Sequence, residues 1–155
     1  MKNHYFETWK VDCLASNKLK FFNIFKDNYE TEPYLNVIDN FEQRRHFSKF
    51  RISNHKLEIE AGRYSNTKAE DRLCTVCDLS KIENEFHLLY HCPFYDDLRN
   101  EFYDKISHPC QVNFSNLNLT SELFRSDDKD IIQYLSKYIY KCFKRRQDKL
   151  FPIQQ

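Results

Sequence analysis

Glycine is almost absent from this chain: its 155 residues contain one, Gly62. A phosphate-cradling P-loop, a dinucleotide fingerprint and a nucleophile elbow each need several glycines at fixed spacing. P-loop NTPases, Rossmann enzymes and α/β-hydrolases are excluded on that ground. No apolar run approaches the length needed to span a bilayer. The first residues, MKNHYFETWKVDCLAS, hold no apolar stretch of signal-peptide length. Strand-like alternation is scarce, there are no repeats, and no Gly/Ser- or Pro-rich stretch marks a second domain. The formal net charge is only +1, so a global basic field is lacking too.

What is abundant is aromatic. With 14 Phe and 10 Tyr the chain can build a core from rings, whose hydroxyls then need partners. Charged residues make up 30%, so a metal staple would help such a chain fold. Helical periodicity dominates, and the expected fold is mainly α: a small helical domain built around one Cys3His zinc finger, with little or no strand. It is read as one domain over residues 1–155, with N-terminal helices in 1–53, a basic loop, finger and following helix in 54–106, and a linker and last helix in 107–155.

In detail, Tyr5–Ala15 and Lys18–Tyr29 read as two helices or one interrupted helix. Pro33 is placed to open another, reaching towards Ser53. Asn54–Arg72 reads as an extended loop, with room for a short strand at Leu57–Ile59. Pro93 begins a helix with Phe94, Leu98, Phe102 and Ile106 every four residues. His108–Asn118 reads as a polar linker. Ser126 or Asp127 is expected to cap a last helix with Ile131, Ile132, Leu135, Ile139 and Phe143 as its buried stripe.

Six cysteines without a secretion signal point to thiols in a reducing compartment, cytoplasmic or nuclear. Four residues have ligand spacing. Cys74 and Cys77 stand on one tight turn, and His87 and Cys92 follow, as C-x2-C-x9-H-x4-C. Three thiolates and an imidazole close a zinc tetrahedron with no open position, which makes the one Zn2+ structural, not catalytic. The fourth ligand has a rival in His91. On an unbroken α-helix His87 and His91 share a face, whereas His87 and Cys92 diverge by about 140°. Pro93, however, disfavours helical dihedrals at Cys92. A bend there swings the thiolate back, so Cys92 is preferred. Cys13, Cys110 and Cys142 lack partners at ligand spacing and read as small buried hydrophobes. His108 and Cys110 are too few to hold a metal. His4, His46 and His55 read as surface or satisfied histidines.

Charge is uneven along the chain. From Arg44 to Lys68 seven basic residues face Glu58 and Glu60, and from Lys137 to Lys149 six face Asp148. Asp78–Asp104 holds seven carboxylates against Lys81 and Arg99. If the two basic segments converge they form a phosphate-binding face; otherwise they are solvated helix faces that balance the acidic segment.

The run FRISNHKLEIEAGRY, the Cys-x2-Cys pair, E-x-E-F-H-x4-C-P and Y-x-D-L-R together resemble the zinc-binding region that follows the reverse transcriptase of LINE-type (non-LTR) retrotransposons. The likeness covers most of the chain. It implies the same four ligands, Cys74, Cys77, His87 and Cys92, and a finger that helps bind template RNA or target DNA, with a reverse transcriptase polypeptide as a further partner. Phe94-Tyr95-Asp96-Asp97 spells a polymerase-like F-x-D-D, but it falls in the helix after Pro93, where carboxylates suit the dipole. No palm is present, and no enzyme is expected. The expected nucleic-acid contacts are Lys49, Arg51, Lys56, Arg63, Arg145 and Arg146, with Phe50 and Tyr64 either stacking on bases or packing in the core. The rival function is a zinc-stapled protein-interaction or scaffolding domain; a decayed element fragment is a third.

Overall fold

The computed structural model describes residues 2–106 and 116–152. Its α-helices are α1 (Lys2–Ala15), α2 (Tyr34–Val37), α3 (Phe41–Arg51), α4 (Glu58–Tyr64), α5 (Asp96–Ile106), α6 (Asn116–Arg125) and α7 (Lys129–Leu150). Short 3-10 turns lie at Phe22–Ile24, Ala69–Asp71 and Pro93–Tyr95, and a π turn at His87–His91. The only strand-like pairing among the described residues is one antiparallel bridge, Leu73 with Ile82. The mainly α fold around a Cys3His cluster is thus what forms.

The 22-residue α7 is the axis, and α2, α3, α5 and α6 pack against it. Of its expected stripe Ile132, Leu135 and Ile139 are buried, Ile131 and Phe143 are only partly covered, and Tyr138 and Cys142 join the buried set. Asp128 caps it, accepting from the backbone N–H groups of Asp130 and Ile131. Ser126 and Asp127 fall just outside, and the Ser126 hydroxyl instead accepts from the Asp128 N–H. The cap thus lies one residue beyond the two expected positions, because it is the Asp128 carboxylate that reaches the first free N–H groups of the helix.

Around this axis the rings make the core. Phe124 stacks on Phe25 at 4.8 Å and on Phe47 at 5.6 Å, and Phe21 meets it edge-on at 5.4 Å. Such contacts contribute about 0.5–1.5 kcal/mol per pair beyond area burial. Phe50 is fully buried here, which rules it out as a base-stacking ring.

Local expectations fail where distant partners intervene. Lys18–Tyr29 forms only the turn Phe22–Ile24, with Phe21 and Phe25 both buried in the core. The helix expected from Pro33 to Ser53 breaks in two. Ile38 turns extended and is buried, and the Asn40 side chain caps α3 by accepting from the Gln43 N–H. Leu57–Ile59 is no strand: Leu57 is extended, but α4 starts at Glu58, whose N–H is held by the Glu83 carboxylate at 2.8 Å. A side-chain cap from 25 residues away leaves no local trace. The polar linker ends early, since α6 starts at Asn116; residues 107–115, with His108 and Cys110, lie outside the described residues. Cys13 and Cys142 are buried as expected. Among the described residues no helix is long and apolar enough to cross a membrane.

Candidate metal centre and the groove beside it

The finger begins as a tight hairpin. The Cys74 N–H donates to the Lys81 carbonyl at 2.8 Å and the Glu83 N–H to the Arg72 carbonyl at 2.9 Å, so Cys74 and Cys77 sit on the loop between. His87 and Cys92 come from the far side. They meet because residues His87–His91 wind as a π turn: the Cys92 N–H reaches the His87 carbonyl at 2.7 Å, an i to i+5 bond. One residue more per turn brings positions five apart onto one face. The divergence expected of an α-helix disappears, and Cys92, extended before Pro93, aims at the cluster.

A π turn leaves carbonyls without their usual partners. Arg99 and Tyr138 supply them. The Arg99 guanidinium donates to the carbonyls of Leu89 and Cys92, both at 2.8 Å, and the Tyr138 hydroxyl donates to those of Leu88 and Leu89 at 3.2 and 3.1 Å. These two buried side chains, from α5 and α7, hold the ligand-bearing turn in shape. Neither was singled out from sequence, where only Arg99's buried setting within an amphipathic helix would have marked it.

The ligand atoms of Cys74, Cys77, His87 and Cys92 all lie within 4.8 Å of one another. Cys74 Sγ and Cys92 Sγ are 4.0 Å apart, and Cys77 Sγ is 3.3 Å from His87 Nε2. A tetrahedral ion with metal–sulfur bonds of about 2.3 Å has edges of about 3.8 Å, so these spacings fit a single metal ion. His91 is outside: exposed, its Nε2 bonds to the Asn116 side-chain amide. Hydrogen bonding to Cys92 and burial push the metal-free Cys74 thiol up to about 12, and burial raises that of Cys77. An ion therefore has to displace protons to bind.

Behind Cys74 stands a buried carboxylate. Glu83 is 1% exposed, and its Oε1 lies 3.7 Å from Cys74 Sγ. Arg146 of α7 neutralises it, Nε donating to Oε1 at 2.8 Å and Nη2 to Oε2 at 2.7 Å, with Glu58 taking a further bond at 3.2 Å. Arg146 is thus an internal strut, not a nucleic-acid contact. Arg51 is another. Its guanidinium lies 4.5 Å from the Phe25 ring centroid and 5.0 Å from that of Tyr34, donates to the Phe124 carbonyl and pairs with Glu32. Rings, carbonyl and carboxylate together make burial of that charge tolerable. Arg145 pairs with Asp97, and Lys141 with Glu101. Two of the cations of α7 are therefore paired with the acidic α5. Asp96 and Asp97 stand in the first turn of α5, in no polymerase-like hairpin.

The other expected contacts stay on the surface. Lys49 and Lys56 are exposed and form no ion pair among the described residues. Arg63 is exposed, with partners in Glu60 and the Asn17 carbonyl. Tyr64 beside it is 86% exposed.

Arg63 lines a groove of about 330 Å³ next to the finger. Lys18, Lys20 and Arg72 add positive charge, and Phe21 and Phe86 add rings. Arg72 lies across α4, donating to the carbonyls of Ile59 and Thr67. Gly62 makes this possible, because a Cβ there would stand 2.7 Å from the Arg72 side chain. The guanidinium thus bonds only neutral carbonyls and keeps its charge. Lys18 and Lys20 were outside the sequence expectation, because they sit in a segment read as helix.

Comparisons with protein-family models, with curated proteins and with solved structures return no match to this chain.

Proposed function

We propose that this chain is a zinc-stapled module that binds single-stranded nucleic acid, RNA or DNA, through the groove beside the finger. Zinc is the ion that suits three thiolates and one imidazole in a buried, closed tetrahedron. When bound it supplies a structural staple; the residues around it hold the site and shape the groove. Arg72 and Leu73 precede Cys74, and Asn84, Glu85 and Phe86 precede His87, so the groove wall and the metal loops are one stretch of chain.

The observation that carries the reading is the lining itself: Lys18, Lys20, Arg63 and Arg72 outnumber Glu60 and Glu85 beside the half-buried Phe86 ring, with the exposed Tyr64 next to Arg63. Cations meet phosphates and a free ring accepts a base, which is how single strands are bound without a duplex groove to read. Lys49 and Lys56 extend the positive surface outside the groove. The resemblance to the region after a LINE-type reverse transcriptase agrees with this partner class.

The test is a titration of short RNA and DNA strands across salt concentrations. Affinity falls steeply with salt, and Lys18→Ala with Lys20→Ala lowers the log–log slope by about one to two. Tyr64→Ala weakens binding by about 1–3 kcal/mol at constant stability. Binding that ignores salt, or no binding at low salt, contradicts the proposal. Helix α1 favours a second reading, docking on a polypeptide, because Tyr5, Val11 and Leu14 are each about two-thirds exposed. Under that reading Val11→Ser with Leu14→Ser abolishes the association and leaves nucleic-acid binding alone.

A further inference from the structure

The four metal ligands are not equally covered. Cys92 is fully buried, His87 is 3% exposed and Cys74 8%, whereas Cys77 is only half-buried. Cys77 stands on an open knuckle, since Thr75 and every residue from Asp78 to Lys81 are exposed. Solvent therefore reaches the cluster from the Cys77 side. A cysteine that holds a metal ion does so as a thiolate, which is also the nucleophilic form. An accessible thiolate with a second sulfur beside it is the arrangement that peroxides oxidise.

The second sulfur is at hand. All four ligand atoms lie within 4.8 Å of one another, so Cys77 has Cys74 and Cys92 as neighbours. Cys92 is fixed: its carbonyl accepts from Arg99 at 2.8 Å, its N–H reaches the His87 carbonyl at 2.7 Å, and Pro93 follows. Cys74 is three residues from Cys77 across the bent, exposed loop, which can give so that the two sulfurs meet.

We infer that the metal centre is a peroxide-responsive switch for the groove, with Cys77 as the sulfur attacked and Cys74 as the one that resolves it. The Cys77 thiolate takes one oxygen of hydrogen peroxide, the O–O bond breaks, and hydroxide leaves a sulfenic acid on Cys77. The Cys74 thiolate then attacks that sulfur, forms the S–S bond and expels a second hydroxide. The cysteine pair has lost two electrons and the peroxide has gained them. Only His87 and Cys92 remain as ligands, too few to keep the zinc.

The groove feels the loss because its wall is built from the residues that flank the metal loops. Arg72 lies two residues before Cys74, and Asn84, Glu85 and Phe86 lead directly into His87. Metal-binding energy in such a site is folding energy for the segments it ties together. The effect on binding rests on the reading that the groove takes single strands, and it adds what regulates that groove.

The experiment exposes the full zinc-loaded chain to hydrogen peroxide. It follows released zinc with a coloured chelator, maps the disulfide by peptide mass spectrometry, and titrates oligouridine of about eight nucleotides. One zinc leaves per disulfide formed, the first disulfide is Cys74–Cys77, and strand affinity falls about ten-fold or more, since the wall must be ordered anew on binding. A thiol reductant with added zinc restores both. On the untreated chain, N-ethylmaleimide labels Cys77 before Cys74 and Cys92. Zinc retained under peroxide, a first disulfide that lacks Cys77, or labelling that starts at Cys74 or Cys92 overturns the switch. Zinc release with unchanged strand affinity overturns its link to the groove. Strands that fail to bind even before peroxide overturn the groove reading, while zinc release and the mapped disulfide still decide the chemistry at Cys77.

Discussion

Replacing Arg146 by Met strips the Glu83 carboxylate of its cationic partner while keeping the length of the aliphatic stem. Glu83 is 1% exposed, loses bonds of 2.8 and 2.7 Å, and remains 3.7 Å from Cys74 Sγ. Removing one member of a buried pair costs about 3–5 kcal/mol, because the remaining charge is neither solvated nor paired. For a chain of this size that lowers Tm by roughly 6–20 °C. With zinc bound the effect grows, since the Cys74 sulfur then carries negative charge of its own. Urea denaturation at saturating zinc measures the loss, and chelator competition measures the weakened metal. Adding Glu83→Gln removes the stranded charge, so the double variant regains about 2–3 kcal/mol over the single one. The reasoning fails if Arg146→Met loses less than about 1 kcal/mol, or if the second change brings nothing back. It fails equally if Arg146→Met keeps full stability but loses nucleic-acid affinity, which would make Arg146 the surface contact its charge run suggested.

Other outcomes follow from the same geometry. Cys92→Ser loses stoichiometric zinc while His91→Ala retains it, read by metal content after dialysis. Arg99→Lys cannot serve the Leu89 and Cys92 carbonyls together, so zinc affinity falls about 10- to 100-fold in a competition assay, as for other groups that orient ligands. Asp97 is held down to about 2 by its bond from Arg145, against an ordinary 3.8. Its small contribution to stability is therefore present above about pH 4 and fades as pH falls towards 2. In Arg145→Gln an NMR titration finds the Asp97 carboxyl back near its ordinary range. Gly62→Ala pushes aside Arg72, displacing its bonds to Ile59 and Thr67, and lowers stability even though alanine suits a helix by about 0.5–1 kcal/mol. A more stable Gly62→Ala, by thermal denaturation, would contradict that packing.

Two kinds of information were legible in the sequence and one was not. Ligand spacing was, since Cys74, Cys77, His87 and Cys92 converge as their pattern suggests. So was the preference for Cys92 over His91, though for half the reason: Pro93 does keep Cys92 extended, but the π turn is what aligns it with His87. Periodicity marked α5 and α7 because each buries one stripe against the core. What stayed hidden were side chains whose role is set across the fold. A charge run does not say whether an arginine faces solvent or a carboxylate fifty residues away. Arg51 and Arg146 are internal, Arg145 is tied to α5, and the groove's lysines came from a segment read as helix. The motif FRISNH is largely a folding motif here: Phe50 and Arg51 fill the aromatic core, and Ser53 and His55 fix Glu85.

X-ray absorption at the zinc edge, on protein purified without added metal, tests the central claim most directly. The account predicts one zinc per chain with three sulfur neighbours at about 2.3 Å, one nitrogen at about 2.0 Å and no oxygen. A shell of two sulfurs and two nitrogens, a bound water, or no retained metal would contradict it.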